Sequence, residues 1–172
     1  DKDRVRMYSL NPSNGKIKQL QAKEDVISDY SIANQAFEMV YFGLSASNSQ
    51  RLYTYNLKND ASSCLIDLSK EILRDITLGE VQDWNFVSAQ GDTIYGRFYL
   101  PPHFDATKKY PMIVNYYGGT TPTARVMESR YPSHVYAGLG YIVYIIQPSG
   151  ATGFGQEFSA RHVNAWGKLT AD

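Results

Sequence analysis

Gly140-Tyr141-Ile142-Val143-Tyr144-Ile145-Ile146 reads as the strongest buried strand of the chain, and that reading decides the fold. It is an apolar run without strict alternation, as a strand covered on both faces requires. Just before it, residues 128–139 have helix-forming character, best over residues 133–139, with Gly140 as the stop. Further upstream, Tyr110-Pro111-Met112-Ile113-Val114-Asn115-Tyr116 is a second short run of the same buried kind. Downstream, residues 156–166 have helical spacing, with Phe158, His162 or Val163, and Trp166 along one side. Strand, helix, strand, helix in this order predicts a βαβ crossover and a mostly parallel sheet.

Outward from this block the pattern changes. Residues 81–88 and 93–100 are β-rich and are separated by Ala89-Gln90-Gly91-Asp92, a hairpin signal. Pro101-Pro102 ends the second of these strands, since proline lacks the ladder donor. Before residue 76 the chain reads as antiparallel sheet. Strands are expected at residues 4–10, 16–20, 37–44, 51–57 and 64–68, joined by turns such as Asn11-Pro12-Ser13-Asn14-Gly15. Short strands with tight polar turns suggest a meander, the unit of a propeller blade or a sandwich. Residues 69–78 look like a connector.

Composition bounds the function classes. Of 172 residues, 43% are hydrophobic and 20% charged, enough for a core and unlike a disordered chain. Seventeen basic and seventeen acidic residues give a net charge of zero, so the footprint of a nucleic-acid or anionic-membrane binder is missing. The single cysteine, Cys64, makes no internal disulfide, and His103, His134 and His162 lack the close spacing of a zinc site. No apolar run reaches the 18 residues of a membrane-spanning helix. The chain starts at Asp1 without a methionine and runs into a strand pattern, which reads as a piece of a longer protein; its compartment is left open.

Two loops could carry chemistry. Tyr116-Tyr117-Gly118-Gly119-Thr120 follows a buried strand directly, where glycines let backbone approach a ligand and a phenol can donate to a developing oxyanion. The plain alternative is a glycine turn with surface tyrosines. Pro148-Ser149-Gly150-Ala151-Thr152-Gly153-Phe154-Gly155 follows the next strand, but Phe158 stands where a dinucleotide fingerprint needs its third glycine. The three histidines read as structural or surface groups, and no Gly-x-Ser-x-Gly elbow occurs.

Several segments together resemble one family. Tyr99-Leu100-Pro101-Pro102-His103-Phe104-Asp105 followed by Lys108-Lys109-Tyr110-Pro111 is similar to the start of the catalytic domain in prolyl oligopeptidase-type serine peptidases, nearest in pattern to the dipeptidyl peptidase IV branch. Tyr117-Gly118-Gly119 matches that family's Tyr-(Gly or Ala)-Gly loop, and residues 148–155 resemble its Pro-x-x-Arg-Gly-Ser-type loop. Ala165-Trp166-Gly167 and Asp172 match a later helix of the family. The resemblance covers roughly residues 80–172. It implies the N-terminal half of an α/β hydrolase, a mixed, mostly parallel sheet with flanking helices, preceded by all-β propeller-blade strands. The implied division is residues 1–75 as the end of a β-propeller and residues 76–172 as a catalytic domain cut before its nucleophile elbow.

By position, the resemblance makes Tyr117 an oxyanion-hole donor, with Gly118 and Gly119 shaping its loop. The Ser, Asp and His of the triad come after residue 172 in this reading, so the 172 residues alone are expected to be inactive. Ser149 or its neighbour stands where the family commonly has arginine, so a supporting ion pair is expected to be missing. The implied parent hydrolyses short peptides, releasing N-terminal dipeptides after Pro or Ala. Its implied partners are a short peptide substrate, the remainder of the catalytic domain and a second copy in a homodimer. No cofactor, metal or nucleic acid is implied. A non-catalytic hydrolase-like binding module and an acylaminoacyl-type peptidase or esterase are the alternatives.

Overall fold

The computed structural model describes residues 1–165, which fold into two compact units. One contains Arg4–Ile76 together with Arg125–Glu128. The other contains Asp1–Asp3, Thr77–Ala124 and the chain from Ser129 onward. Both are built mostly of β-sheet with few, short helices.

In the first unit, β1 (Tyr8–Leu10) and β2 (Ile17–Gln19) form a hairpin around the expected proline turn. Gly15 closes it at a φ of 68°, where a side chain is rarely tolerated, and its N–H donates to the Asn11 carbonyl at 2.8 Å. β3 (Val26–Ile32), β4 (Glu38–Ser45), β5 (Asn48–Asn56) and β6 (Ala61–Asp67) then run as an antiparallel meander in sequence order. Alternation along β4 and β5 puts Met39, Tyr41, Tyr53 and Tyr55 on one face with Ile27 and Met7, and these six form the core. Tyr41 opposes Tyr53 across the ladder, the rings stacked 5.1 Å apart, a pairing that contributes about 0.2–1 kcal/mol relative to alanines.

β3 was not among the expected strands. Its sequence, Val-Ile-Ser-Asp-Tyr-Ser-Ile, carries three residues of weak β propensity, and a register shift between Ile27 and Asp29 interrupts its alternation. β5 begins at Asn48, three residues before the expected start at residue 51, and Asn48 and Ser49 are buried there. α1 (Ser69–Ile72) is one short turn of helix in the expected connector.

The second unit holds β7 (Val81–Val87), β8 (Thr93–Tyr99), β9 (Met112–Asn115) and β10 (Ile142–Gln147), with α2 (Ser133–Gly138) between the last two strands and α3 (Gln156–Ala160) after them. The strand order is β7-β8-β10-β9. β9 and β10 are parallel, joined through α2 as the crossover rule requires, whereas β7–β8 and β8–β10 are antiparallel. The expectation of a mostly parallel sheet is therefore corrected: among the described residues one βαβ unit supplies one parallel pairing of three, and the β7–β8 hairpin supplies an antiparallel neighbour to β10.

β10 is buried as expected, with Val143, Tyr144 and Ile145 all nearly inaccessible. β9 departs from expectation. It lies at the sheet edge, and Met112 and Val114 are exposed rather than covered on both faces. α2 is shorter than its expected span because Pro132 precedes its first turn, and Gly140 ends the segment at a φ of 94°. α3 stops at Ala160, and the next residues are turns. The family matches at Trp166, Gly167 and Asp172 lie outside the described residues.

Candidate active site

β9 and β10 each end in a glycine loop, and these two loops lie together. The Thr152 N–H and hydroxyl both donate to the Thr120 carbonyl, at 2.7 and 3.0 Å. This pins the segment after Gly119 to the one after Gly150. In parallel α/β sheets the carboxyl ends of the strands are where ligands bind, so the sequence-selected loops occupy the chemically favoured end of the β9–β10 pair.

Tyr117 projects from this end with 57% of its surface exposed. It lines a cavity of about 490 Å³ with Asn115, Tyr116, Thr121, Pro122 and Thr123 among its walls. A second cavity, about 280 Å³, is bounded by Tyr117, Gly119, Thr120, Thr121 and His162. Gly118 and Gly119 differ in role. A Cβ on Gly119 would fall 2.6 Å from the Tyr117 ring, whereas one on Gly118 would meet nothing within 4 Å. Neither has a left-handed φ; that conformation belongs to Gly150, Gly153 and Gly155 in the other loop.

Behind the loop is a buried polar cluster that motif reading passed over. Arg97, in β8, is 1% exposed. Its guanidinium pairs with Asp3 at 2.9 Å and donates to the Ala124 carbonyl at 2.6 Å, the Thr123 carbonyl at 3.4 Å and the Tyr99 hydroxyl at 3.2 Å. Gln147, at the end of β10 and equally buried, brackets Thr123. Its amide donates to the Thr123 carbonyl and its oxygen accepts from the Thr123 N–H, both at 2.8 Å. Burying a charged pair is tolerated only with such full bonding, and losing one partner costs about 3–5 kcal/mol. The visible signal is one Arg and one Gln inside two strands whose other residues, Thr93 apart, are apolar or aromatic.

The histidines scatter. His103 sits in a turn after β8 at a φ of 58°, His134 lies in α2 with its ring edge-on to Tyr99, and His162 rests over Gly150. At Gly150 a Cβ would fall 1.9 Å from the His162 ring, so this glycine is required for close approach as well as for its φ of 95°. The ion pair expected to be missing near Ser149 has a local counterpart. Ser149 donates to Asp92 at 3.3 Å, and Arg161 pairs with the same carboxylate at 2.9 Å. Tyr144, whose phenol burial pushes up to about 12, packs against Phe98 and Trp84 in this sheet and is no candidate for proton transfer near neutrality.

No family model matches the sequence. Among curated proteins it is similar to dipeptidyl-peptidase 5 of Porphyromonas gingivalis, 29% identical over 154 residues, covering 89% of this chain and 22% of that protein. It is also similar to a probable dipeptidyl-peptidase 5 of Aspergillus terreus, 37% identical over 86 residues, covering 49% of this chain and 11% of that one. The chain thus spans between a tenth and a quarter of these relatives. Among solved structures, the acylaminoacyl peptidase of Pyrococcus horikoshii superposes over 99% of this chain and 26% of its own, with a TM-score of 0.81 at 18% identity, a likeness of fold. By its sequence matches, the chain is similar to a stretch of dipeptidyl peptidases of the prolyl oligopeptidase type.

Proposed function

We propose that this chain is the junction piece of a serine peptidase, residues 1–75 closing a β-propeller and residues 76–172 opening an α/β-hydrolase domain. The β3–β6 meander has the strand arrangement of a propeller blade. The order β7-β8-β10-β9, with one parallel crossover, suits the start of a hydrolase sheet. The observation that carries the functional reading is Tyr117, exposed beside a cavity at the carboxyl end of the parallel pair, in a loop tied down from behind.

In this reading the triad Ser, Asp and His come from sequence after residue 172. The serine oxygen adds to the scissile carbonyl carbon while its proton passes to the histidine, and the carbonyl oxygen becomes an oxyanion. The Tyr117 hydroxyl donates to that oxygen. A preorganised donor of this kind lowers the barrier by about 3 kcal/mol. Collapse of the adduct expels the amine, which takes the proton from histidine, and water then hydrolyses the acyl-enzyme. The substrate is a short peptide, from which hydrolysis of the acyl-enzyme releases an N-terminal dipeptide ending in Pro or Ala. Gly118 and Gly119 shape the loop and take no chemical part.

The test uses the full-length protein and pairs of p-nitroanilides, Ala-Pro and Ala-Ala dipeptides with free or acetylated amino termini, alongside labelling by a fluorophosphonate. Turnover of the free-amine substrates with labelling of one serine is the expected result. Preference for the acetylated substrates would reassign the protein to the acylaminoacyl type. No labelling and no turnover would leave a hydrolase-like binding module.

A further inference from the structure

We propose that Arg97 and Gln147 are positioning residues that set the place of the Tyr117 hydroxyl by clamping the loop behind it, an inference that rests on the oxyanion role of Tyr117. Between Gly119 and Ala124 the chain makes no helix or strand; the Thr120 carbonyl is held by Thr152, and the backbone groups of Thr123 and Ala124 are held by side chains. Gln147 satisfies both groups of Thr123, and Arg97 takes the carbonyls of Thr123 and Ala124. Thr123 is itself a wall of the cavity that Tyr117 lines.

The two clamps share one face of the sheet. In the β8–β10 register Gln147 opposes Tyr95 and Arg97 opposes Ile145, two residue pairs apart, which puts the amide and the guanidinium on the same side. Burying a cation there is costly, and Asp3 offsets it. Asp3 is held in turn, since the neighbouring Lys2 donates its N–H to the Gly153 carbonyl at 2.9 Å and lays its ammonium 3.9 Å from the Tyr95 ring centre. At the other end of the loop, the Tyr117 ring lies so close over Gly119 that a single methyl there would strike it. Loop backbone and catalytic ring therefore move together, and a shift of about 1 Å in a group that contacts the reacting atoms costs up to about a hundredfold in rate.

The experiment is a double-mutant cycle on the full-length protein, reading kcat and KM on Ala-Pro p-nitroanilide for R97M, Q147M and Y117F singly, and for R97M and Q147M each combined with Y117F. Each clamp variant is expected to lower kcat about tenfold with KM changed less than about twofold, and to change kcat less than about twofold once Tyr117 is phenylalanine. Equal losses with and without the Tyr117 hydroxyl would overturn the inference, because a merely structural residue acts in both backgrounds alike. Unchanged kcat in Q147M would overturn it too. Thermal melts identify a variant that does not fold; should R97M fail for leaving Asp3 buried without its cation, Q147M, which removes no charge, decides alone. If Y117F itself leaves kcat intact, the failure belongs to the oxyanion reading and not to the clamp.

Discussion

The tyrosines of the meander and the tyrosine of the β9 loop use the same side chain in opposite ways. Tyr41, fully buried, accepts from the Lys23 N–H at 2.8 Å and donates to Ser62 at 2.9 Å. Tyr55 accepts from the Gln21 N–H, and Tyr53 donates to Glu24, which also pairs with Arg51 at 2.9 Å. Each of these hydroxyls is consumed by a neighbour within its own unit, and each ring fills core. Tyr117 presents its ring at a cavity mouth, with the fixed partners assigned to the loop around it. A buried tyrosine with an occupied hydroxyl holds a fold together, while an exposed one on a pinned loop can meet a substrate.

Removing the two kinds of hydroxyl sharpens that contrast. Y117F in the full-length protein is expected to lower kcat about tenfold to a thousandfold with a smaller change in KM and an unshifted melt. Steady-state kinetics beside calorimetry decides this, and a lowered melting temperature with intact turnover would place Tyr117 among the structural tyrosines. Next in size is the glycine pair. G119A forces the Tyr117 ring aside and is expected to cost about tenfold in kcat, whereas G118A, with open space for its methyl, leaves kcat within about twofold. Equal effects of the two would break the link between loop backbone and ring.

The smallest effect belongs to the meander. Y53F is expected to lower stability by about 1.5–3 kcal/mol, the worth of a hydrogen bond to a carboxylate, with kcat unchanged. It also alters the alkaline limb. Burial, reinforced by the bond to Glu24 and its charge, raises the Tyr53 phenol above its ordinary value, so the folded state holds that proton more tightly than the unfolded one. The associated stability is complete below about pH 10 and is lost as pH rises through the folded value. Melts of wild type and Y53F between pH 8 and 11 are expected to converge as pH rises; curves that stay parallel would contradict the assignment.

The sequence was most legible where periodicity and turn chemistry agreed. β10 stood out because an unbroken apolar run has few other uses in a globular fold, and the proline-glycine turn at residues 11–15 announced its hairpin. β3 was hidden because an edge strand with five exposed residues looks polar. The sheet at β7–β10 was read as mostly parallel because local pattern reports elements, and pairing direction depends on which distant strand lies alongside. In the candidate site, the loop at residues 116–120 could be picked out from its glycines and its place after a strand. Its supports could not, since nothing local reveals that Asp3 reaches Arg97 across 94 residues of chain or that Gln147 brackets Thr123.

The most direct test of the oxyanion assignment compares two ligands of the full-length protein. An Ala-boroPro inhibitor forms a tetrahedral adduct on the serine and puts an oxygen where the oxyanion develops, whereas the product dipeptide Ala-Pro does not. With Tyr117 as the donor, Y117F weakens the boronate about tenfold to a thousandfold and leaves the dipeptide within about twofold. Equal affinities of wild type and Y117F for the boronate would contradict the account.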